Sequence, residues 1–343
     1  MILKDNKPTV LVTGGAGYIG SHVVKKLLKT TKNNIIIIDN ISTGFQSTLN
    51  ILSSIDKDDR MKFYNVDLSD TDKLESIFME NKVKSIIHFA AFSQVGESMI
   101  DPLKYFKNNT LNTINLIDLC IKYDVKKFIF SSTAAVYGEP TIDDIPIKET
   151  MSTNPINPYG HSKLMSEQIL QDTSKVNNNF KFVILRYFNV CGADLEGQIG
   201  ECHNPETHLI PLIAKTALEK RESISIYGDD YDTKDGTCIR DYIHIEDLAQ
   251  AHLDSLNYLD NNDSDIFNCG YGYGYSVKEI VDSMKKISNN NFEVIVAPRR
   301  DGDPAILIAD NTKIINKMNW KPKYNNLELI CKTALEWEKQ LGV

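Results

Sequence analysis

The sequence predicts an α/β protein built on a doubly wound parallel sheet, with a smaller C-terminal α/β part. Three observations carry that prediction. A short β-rich run near the start ends in closely spaced glycines and passes straight into a helical pattern. Apolar runs rich in β-formers then alternate with helix-patterned stretches. Small, acidic and hydroxyl residues fall where those runs end, and the carboxyl ends of parallel strands are where such sheets bind ligands.

The first run, Thr9-Val10-Leu11-Val12-Thr13, has the continuous apolar character of a strand buried on both faces. Gly14, Gly17 and Gly20 follow as G-x-x-G-x-x-G, and His22 to Lys29 continues as a helix. Glycines so placed let the backbone turn tightly and approach a pyrophosphate seated on the helix N-terminus. The second strand, Asn34 to Ile38, ends at Asp39. A carboxylate there accepts both ribose hydroxyls and repels a 2′-phosphate, which favours NAD over NADP. The third strand, Met61 to Val66, leads to Asp67 and Leu68, an adenine neighbourhood. Ser85 to Ala91 is another apolar strand, and it ends in the small residues Ala90 and Ala91, which a cofactor can approach closely. Pro102 to Tyr123 reads as one long helix, with Leu111, Ile114, Ile117 and Ile121 on or near one stripe. Phe128-Ile129-Phe130 then runs into the hydroxyls Ser131, Ser132 and Thr133.

The next helix opens at Asn157-Pro158, a good N-cap followed by a residue of fixed φ. On it Tyr159 and Lys163 are four residues apart and share a face. An ammonium beside a phenol favours the phenolate and draws its pKa down from about 10 toward that of a general base. Tyr-x-x-x-Lys alone is a weak signal, because two common residues match in many helices. After Phe182 to Asn189 the rhythm changes, and loops rich in Gly, Asp, Asn and Thr lengthen at Gly192–His208 and Gly228–Thr237. Residues 1–190 are therefore read as an NAD-binding domain of the Rossmann type. Residues 191–343 are read as a substrate-facing domain whose later segments are free to return to the first.

Bulk properties narrow the function classes. A length of 343 residues suits a large domain plus a smaller one. A net charge of -8 argues against a nucleic-acid surface, and no apolar stretch approaches the roughly 20 residues of a membrane span. Met1 to Lys7 has too short an apolar run for a signal peptide. Cys120, Cys191, Cys202, Cys238, Cys269 and Cys331 are scattered, with no C-x-x-C pair, and are expected to be reduced and mostly buried. The expected location is the cytoplasm.

Longer strings make a resemblance specific. They are Val12 to His22 (Val-Thr-Gly-Gly-Ala-Gly-Tyr-Ile-Gly-Ser-His), Ile87-His88-Phe89-Ala90, Val95-Gly96-Glu97-Ser98 and Phe130 to Gly138. Pro158-Tyr159-Gly160-His161-Ser162-Lys163, Leu185 to Asn189, Asp235 to His244 and Ala297 to Asp303 continue them in order. In these strings the chain resembles the extended short-chain dehydrogenase/reductase family, and within it the branch of UDP-glucose 4-epimerases. The resemblance implies reversible epimerisation at C4 of a UDP-hexose through a 4-keto sugar, with hydride passing to tightly bound NAD and back. It implies Tyr159 as catalytic base, Lys163 as its partner and a holder of the nicotinamide ribose, and Thr133 as the hydroxyl bonded to the sugar O4. Around the glycines, Asp39 and Asp67-Leu68, it adds Tyr18, Ile19, Asn40, Phe89, Ala91, Asn108, Ser131 and Tyr187 on the cofactor side. On the UDP-sugar side it implies Tyr187, Phe188, Asn189, His208 and Leu209, with Arg240 and Arg300 gripping the diphosphate and Asp303 on the uridine ribose. A guanidinium fork suits that grip, because it binds phosphate in two-pronged fashion.

Particular residues distinguish relatives within the family. Related 4,6-dehydratases carry an Asp-Glu pair after the strand-end hydroxyl, whereas here Ala134-Ala135 stands there and cannot move a proton. Ser93 stands where some members carry a Lys near the cofactor, and His208 where others place an Asn. Leu307 occupies the position that limits the sugar pocket, and a Leu smaller than the Tyr of some members would leave room for an N-acetylated sugar. A UDP-uronate enzyme would want a cation aimed at the sugar carboxylate, and none is identifiable. His203 and His208 have no third clear ligand in the sequence, so no metal site is assigned. The family pairs the helix from Pro102 and the helix from Tyr159 across a dimer, which makes a homodimer the expected assembly.

Overall fold

A computed structural model describes residues 7–300 and 302–341. Residues 1–6, read above for a targeting signal, and Asp301 lie outside the described residues. The chain divides into two units. The first comprises residues up to Gly138, Ser152–Arg186 and Ala249–Phe267; the second comprises Glu139–Met151, Tyr187–Leu248 and Asn268 onward.

The main sheet has seven strands. Six are labelled here: β1 (Thr9–Thr13), β2 (Asn34–Asp39), β3 (Met61–Asn65), β4 (Val83–His88), β5 (Lys127–Thr133) and β6 (Lys181–Tyr187). The seventh is Asp265–Cys269. The spatial order runs from that strand through β6, β5, β4, β1, β2 to β3. Parallel pairing aligns Thr13 with Ile38 on one side and with His88 on the other. The winding therefore reverses between β1 and β4, and the carboxyl ends of those two strands flank the switch point where such sheets bind ligands. Every residue of β1 and β2 is buried, which explains their unbroken apolar character.

Helices cover the sheet with amphipathic faces. Val23, Val24, Leu27 and Leu28 of helix Tyr18–Thr30 are buried at helical spacing. Leu74, Ile77, Phe78, Leu116, Cys120 and Leu170 pack with Leu11, Ile36, Ile86, Phe128 and Ile184 of the strands in one cluster. At about 1.5–3 kcal/mol for each large apolar side chain buried, this cluster dominates the unit's stability.

One predicted element differs in detail. The long helix expected from Pro102 to Tyr123 is α-helical over Pro102–Tyr105 and Asn112–Lys122, but Phe106–Leu111 between them is a π-helical turn. Asn109 supplies the reason. Its side-chain amide donates to the Phe92 carbonyl and to Ser162 Oγ, both at 3.0 Å, and its Oδ1 accepts from the Phe92 N–H at 2.9 Å. Satisfying all three requires the side chain to face inward, which the wider turn allows.

The second unit is made of short pairings. Asn189–Cys191 runs parallel to Tyr242–His244, and Ser223–Tyr227 parallel to Glu293–Ala297. Ile239–Arg240 pairs with Tyr275–Ser276 and with Ile306–Leu307. Helix Val277–Ser288 begins with a full capping box between Ser276 and Glu279. All six cysteines are free, and only Cys202 is not buried. Among the described residues no helix is long and apolar enough to cross a membrane.

Candidate active site

The glycine turn sits at the switch point. Gly14 has φ +70°, and a Cβ there would lie 2.7 Å from the Ala90 backbone nitrogen. A Cβ on Gly20 would lie 2.2 Å from the Gly14 carbonyl oxygen. A side chain at either position would collide with neighbouring backbone, so glycine lets the turn pack this tightly where helix Tyr18–Thr30 begins. Asp39, at the end of β2, accepts from the Ala16 N–H at 2.9 Å and the Ile41 N–H at 2.8 Å. Each carboxylate oxygen keeps a second lone pair for a ribose hydroxyl. Burial holds the Asp39 pKa above the usual carboxylate range, the two backbone donors countering only part of that rise. Asn40 donates to Asp67 at 2.6 Å, tying the ends of β2 and β3 together, and the buried Leu68 follows.

A directional network fixes the end of β4. Thr113 donates its hydroxyl proton to the Asn109 carbonyl at 2.6 Å, so it accepts from His88 Nε2 at 3.0 Å. His88 Nδ1 then accepts from Thr13 Oγ1 at 2.6 Å. Thr13 Oγ1 in turn accepts from the N–H groups of Phe89 and Ala90, both at 3.2 Å. Burial, with Lys163 nearby, lowers the His88 pKa to about 3, so the ring is neutral and the chain of donors has one sense. Asn108 donates to Asn109 Oδ1 at 3.0 Å.

The proton-handling group is assembled on helix Pro158–Val176, which Asn157 caps through a 2.8 Å bond from the Gly160 N–H. Tyr159 is buried, and its phenol hydrogen-bonds Thr133 at the end of β5. Thr133 Oγ1 also accepts from the Ala135 N–H at 3.1 Å. The expected Lys163 effect is corrected here. Lys163 Nζ donates 2.8 Å to the Ser131 carbonyl, and burial lowers its pKa to about 8 against the opposing pull of Glu167. Tyr159 itself is raised by burial, with Thr133 pulling the other way. The phenol thus sits in a low-dielectric site and bonds a hydroxyl rather than an ammonium.

Behind the pair lies a buried ion pair that sequence reading missed. Arg186 Nε bonds both oxygens of Glu167, at 3.0 and 3.2 Å, and Arg186 Nη1 donates to the Tyr137 hydroxyl at 3.0 Å. Glu167 is one turn beyond Lys163 on the same helix, so the pair locks that helix to β6. Ser131 Oγ contacts His252 Nε2 at 2.9 Å, and the His252 ring lies 4.7 Å from that of Phe89. Nothing in the periodicity of residues 249–267 marked them as neighbours of β5.

The second unit carries the expected anion-binding residues. Arg240 is nearly buried and pairs with Asp303. Leu307, half-buried, faces Arg240 in register. Arg300 is exposed, with its guanidinium carbon 3.8 Å from the centre of the Tyr227 ring. Phe188 is buried, and Asn189 donates its N–H to the Asp241 carbonyl at 3.0 Å. Tyr187 ends β6, and Leu209 begins helix Leu209–Ala217.

His208 has a different neighbourhood from the one expected. The reading that the two histidines lack further ligands is corrected: Glu201 and Glu206 converge on them. The loop folds back so that Glu201, His203, Glu206 and His208 come together; the sequence shows these four residue types close in the chain, but not that they face one another. Burial alone would lower the His208 pKa; its bonds to Glu201 and Glu206 outweigh that and raise it to about 10.

Comparison with known proteins agrees with this geometry. Residues 10–270 match the profile of the NAD dependent epimerase/dehydratase family. The chain is 46% identical over 332 residues to the UDP-glucose 4-epimerase of Lacticaseibacillus casei, covering 96% of this chain and 97% of that one. It is similar to the solved UDP-Glc/GlcNAc 4-epimerase of Campylobacter jejuni, with 51% identity, a TM-score of 0.86, and coverage of 97% and 99%. It is also similar to the UDP-glucose 4-epimerase of Bifidobacterium longum solved with NAD+ and UDP, with 38% identity, a TM-score of 0.91, and coverage of 97% and 98%. With a glycine turn at the switch point, a strand-end acid, a buried Tyr-Lys helix and a family match over residues 10–270, the chain belongs to the NAD dependent epimerase/dehydratase family.

Proposed function

We propose that the protein catalyses reversible epimerisation at C4 of UDP-glucose and UDP-galactose. One observation carries the reading: a buried phenol, Tyr159, hydrogen-bonded to the strand-end hydroxyl Thr133, in a unit whose tight glycine turn opens a helix at the switch point. Full-length likeness to UDP-glucose 4-epimerases supports it.

NAD fits the residues present, since the Gly14–Gly20 turn offers backbone N–H groups at a helix N-terminus and Asp39 keeps lone pairs for ribose hydroxyls. Asn40, Asp67, Leu68, Phe89, Ala90, Ala91, Asn108 and Ser131 would line that cofactor's path. When bound, NAD supplies reversible hydride acceptance from the sugar C4. Tyr159 takes the proton of the 4-hydroxyl, directly or by way of Thr133, and returns it after the 4-keto sugar has turned over. Lys163 holds the ribose and keeps the helix oriented. Ala134 and Ala135 offer no proton donor for loss of water, which favours epimerisation. Arg240 and Arg300 hold the diphosphate, with Phe188, Asn189, Leu209 and Asp303 about the UDP group and Leu307 beside the sugar.

Two finer readings accompany this one. The protein acts as a homodimer through the helices that begin at Val95, Pro102 and Pro158, on which Met99, Ile100, Leu103, Leu111 and Met165 are exposed large apolar residues. Sedimentation of the native chain beside Leu103→Asp tests it; a native monomer would end the idea. The protein resides in the cytoplasm, a reading supported by its six free cysteines. The activity is tested by adding UDP-galactose to the purified chain with no added cofactor and following UDP-glucose. Appearance of UDP-glucose, lost in Tyr159→Phe, is expected; absence of turnover in a chain loaded with NAD would overturn the reading.

A further inference from the structure

We propose that Glu201, His203, Glu206 and His208 bind one divalent transition-metal ion of the zinc class. The site lies in the loop before helix Leu209–Ala217, and one ligand atom from each residue lies within 4.8 Å of the others. His203 Nδ1 is 3.5 Å from Glu201 Oε1 and 3.5 Å from Glu206 Oε2. His208 Nδ1 is 2.9 Å from Glu201 Oε1 and 3.3 Å from Glu206 Oε1. Tetrahedral zinc with nitrogen and oxygen bonds of about 2.0–2.2 Å sets its ligands about 3.3–3.5 Å apart. A charge-assisted hydrogen bond draws the same atoms to about 2.7–2.9 Å. With one oxygen counted per carboxylate, His203 Nδ1 stands 3.5 Å from both Glu201 Oε1 and Glu206 Oε2, beyond the second range and matching the first, while His208 Nδ1 is closer to Glu201 Oε1, at 2.9 Å.

Charge and support point the same way. The side chains of Glu201 and Glu206 are only 6% and 4% exposed, so two negative charges sit side by side away from water. A dication with two neutral imidazoles cancels them, which leaves no buried charge uncompensated. Two imidazoles and two carboxylates form a donor set suited to zinc and its neighbours rather than to calcium or magnesium. The ligands are themselves held. Glu206 Oε1 accepts from the N–H groups of Thr207 at 2.8 Å and His208 at 2.9 Å, and the Glu201 carbonyl accepts from Trp337 Nε1 at 2.8 Å. Such outer bonds orient metal ligands. Four protein ligands close the coordination sphere, so the ion's role is structural: it pins the 201–206 loop to the start of the following helix.

The test uses the full chain with its cofactor, stripped by chelator and dialysed against zinc. Metal analysis is expected to give about one zinc per native chain, and well under half of that in His203→Ala and in Glu206→Gln. Zinc-edge X-ray absorption on the native chain, which depends on no variant, is expected to report nitrogen and oxygen neighbours at about 2.0–2.1 Å. Failure of the native chain to retain stoichiometric zinc would overturn the proposal. So would equal retention by folded His203→Ala, or sulfur at about 2.3 Å, which would transfer the metal to a cysteine such as Cys202.

Discussion

Glu167–Arg186 in the first unit and Arg240–Asp303 in the second are the same chemical pair in different settings. Both side chains of the first are at least 95% buried, and both partners make further buried bonds, to Ser132 and to Tyr137. In the second, Asp303 is 29% exposed, and one face of the pair is open to exchange. The difference separates two uses of an arginine. A pair with its surroundings satisfied inside the fold holds a scaffold in place, because no outside group can displace either member. A pair with an exposed carboxylate can surrender it to a diphosphate, which is a stronger and two-pronged acceptor. On this view the first unit is prebuilt for chemistry and the second for reversible grip.

Tyr159→Phe is expected to break that comparison most sharply if it is wrong. Removing the general base is worth about 10²–10⁴-fold, so kcat with UDP-galactose should fall by about a thousandfold while UDP affinity stays put. Steady-state rates and calorimetric titration with UDP check both halves. An equal loss of UDP affinity would mean that the two units do not divide the work. Next comes Glu167→Ala. It strands Arg186 in the interior, at a cost of about 3–5 kcal/mol measured by chemical denaturation. The same truncation at Asp303 should cost far less, because water reaches Arg240's partner already.

These contrasts show what was legible in the sequence. Gly14 and Gly20 were readable because few residues fit a turn this tight, and Asp39 because it stands at the end of a strand. Tyr159 and Lys163 were readable because four residues make one helical turn. The target of Lys163 was not, since the Ser131 carbonyl belongs to another element and only the fold brings it near. The π turn at Phe106–Leu111 kept the apolar spacing of an α-helix, and only the tertiary bonds of Asn109 reveal it. The pairing of Glu167 with Arg186 spans a helix and a strand, so no local period announces it. Glu201 and Glu206 were overlooked although they alternate with the histidines, because loops carry no period that tells which side chains face one another.

Lys163 sharpens the comparison through pH. Burial holds it at about 8 in the folded chain, against about 10.4 when unfolded. Between those values the unfolded chain binds more protons, so this group makes stability rise with pH through that window. At about 1.36 kcal/mol per pH unit the gain approaches 3 kcal/mol. Denaturation of the native chain and of Lys163→Met, at pH values below and above the window, isolates it: the native chain should gain relative to the variant. Parallel pH dependence would show that the ammonium is not held by burial.

The smallest effect is expected at Arg300, and it decides whether the exposed side of the comparison is a grip at all. The guanidinium carbon lies 3.8 Å from the Tyr227 ring centre and is reachable from water, so its removal disturbs no buried partner and leaves stability within about 0.5 kcal/mol of native. A lost charge-assisted hydrogen bond is worth about 1.5–3 kcal/mol, which weakens UDP binding about ten- to a hundredfold in Arg300→Ala. Because ground state and transition state share that contact, KM should rise while kcat moves little. Arg300→Lys keeps the charge but loses the planar fork and its stacking on the ring. If the lysine variant restores native affinity, Arg300 acts as a point charge; if it binds UDP as poorly as the alanine variant, the stacked, two-pronged geometry holds the ligand. Native UDP affinity in Arg300→Ala would remove this residue from the site and leave Arg240 as the diphosphate anchor.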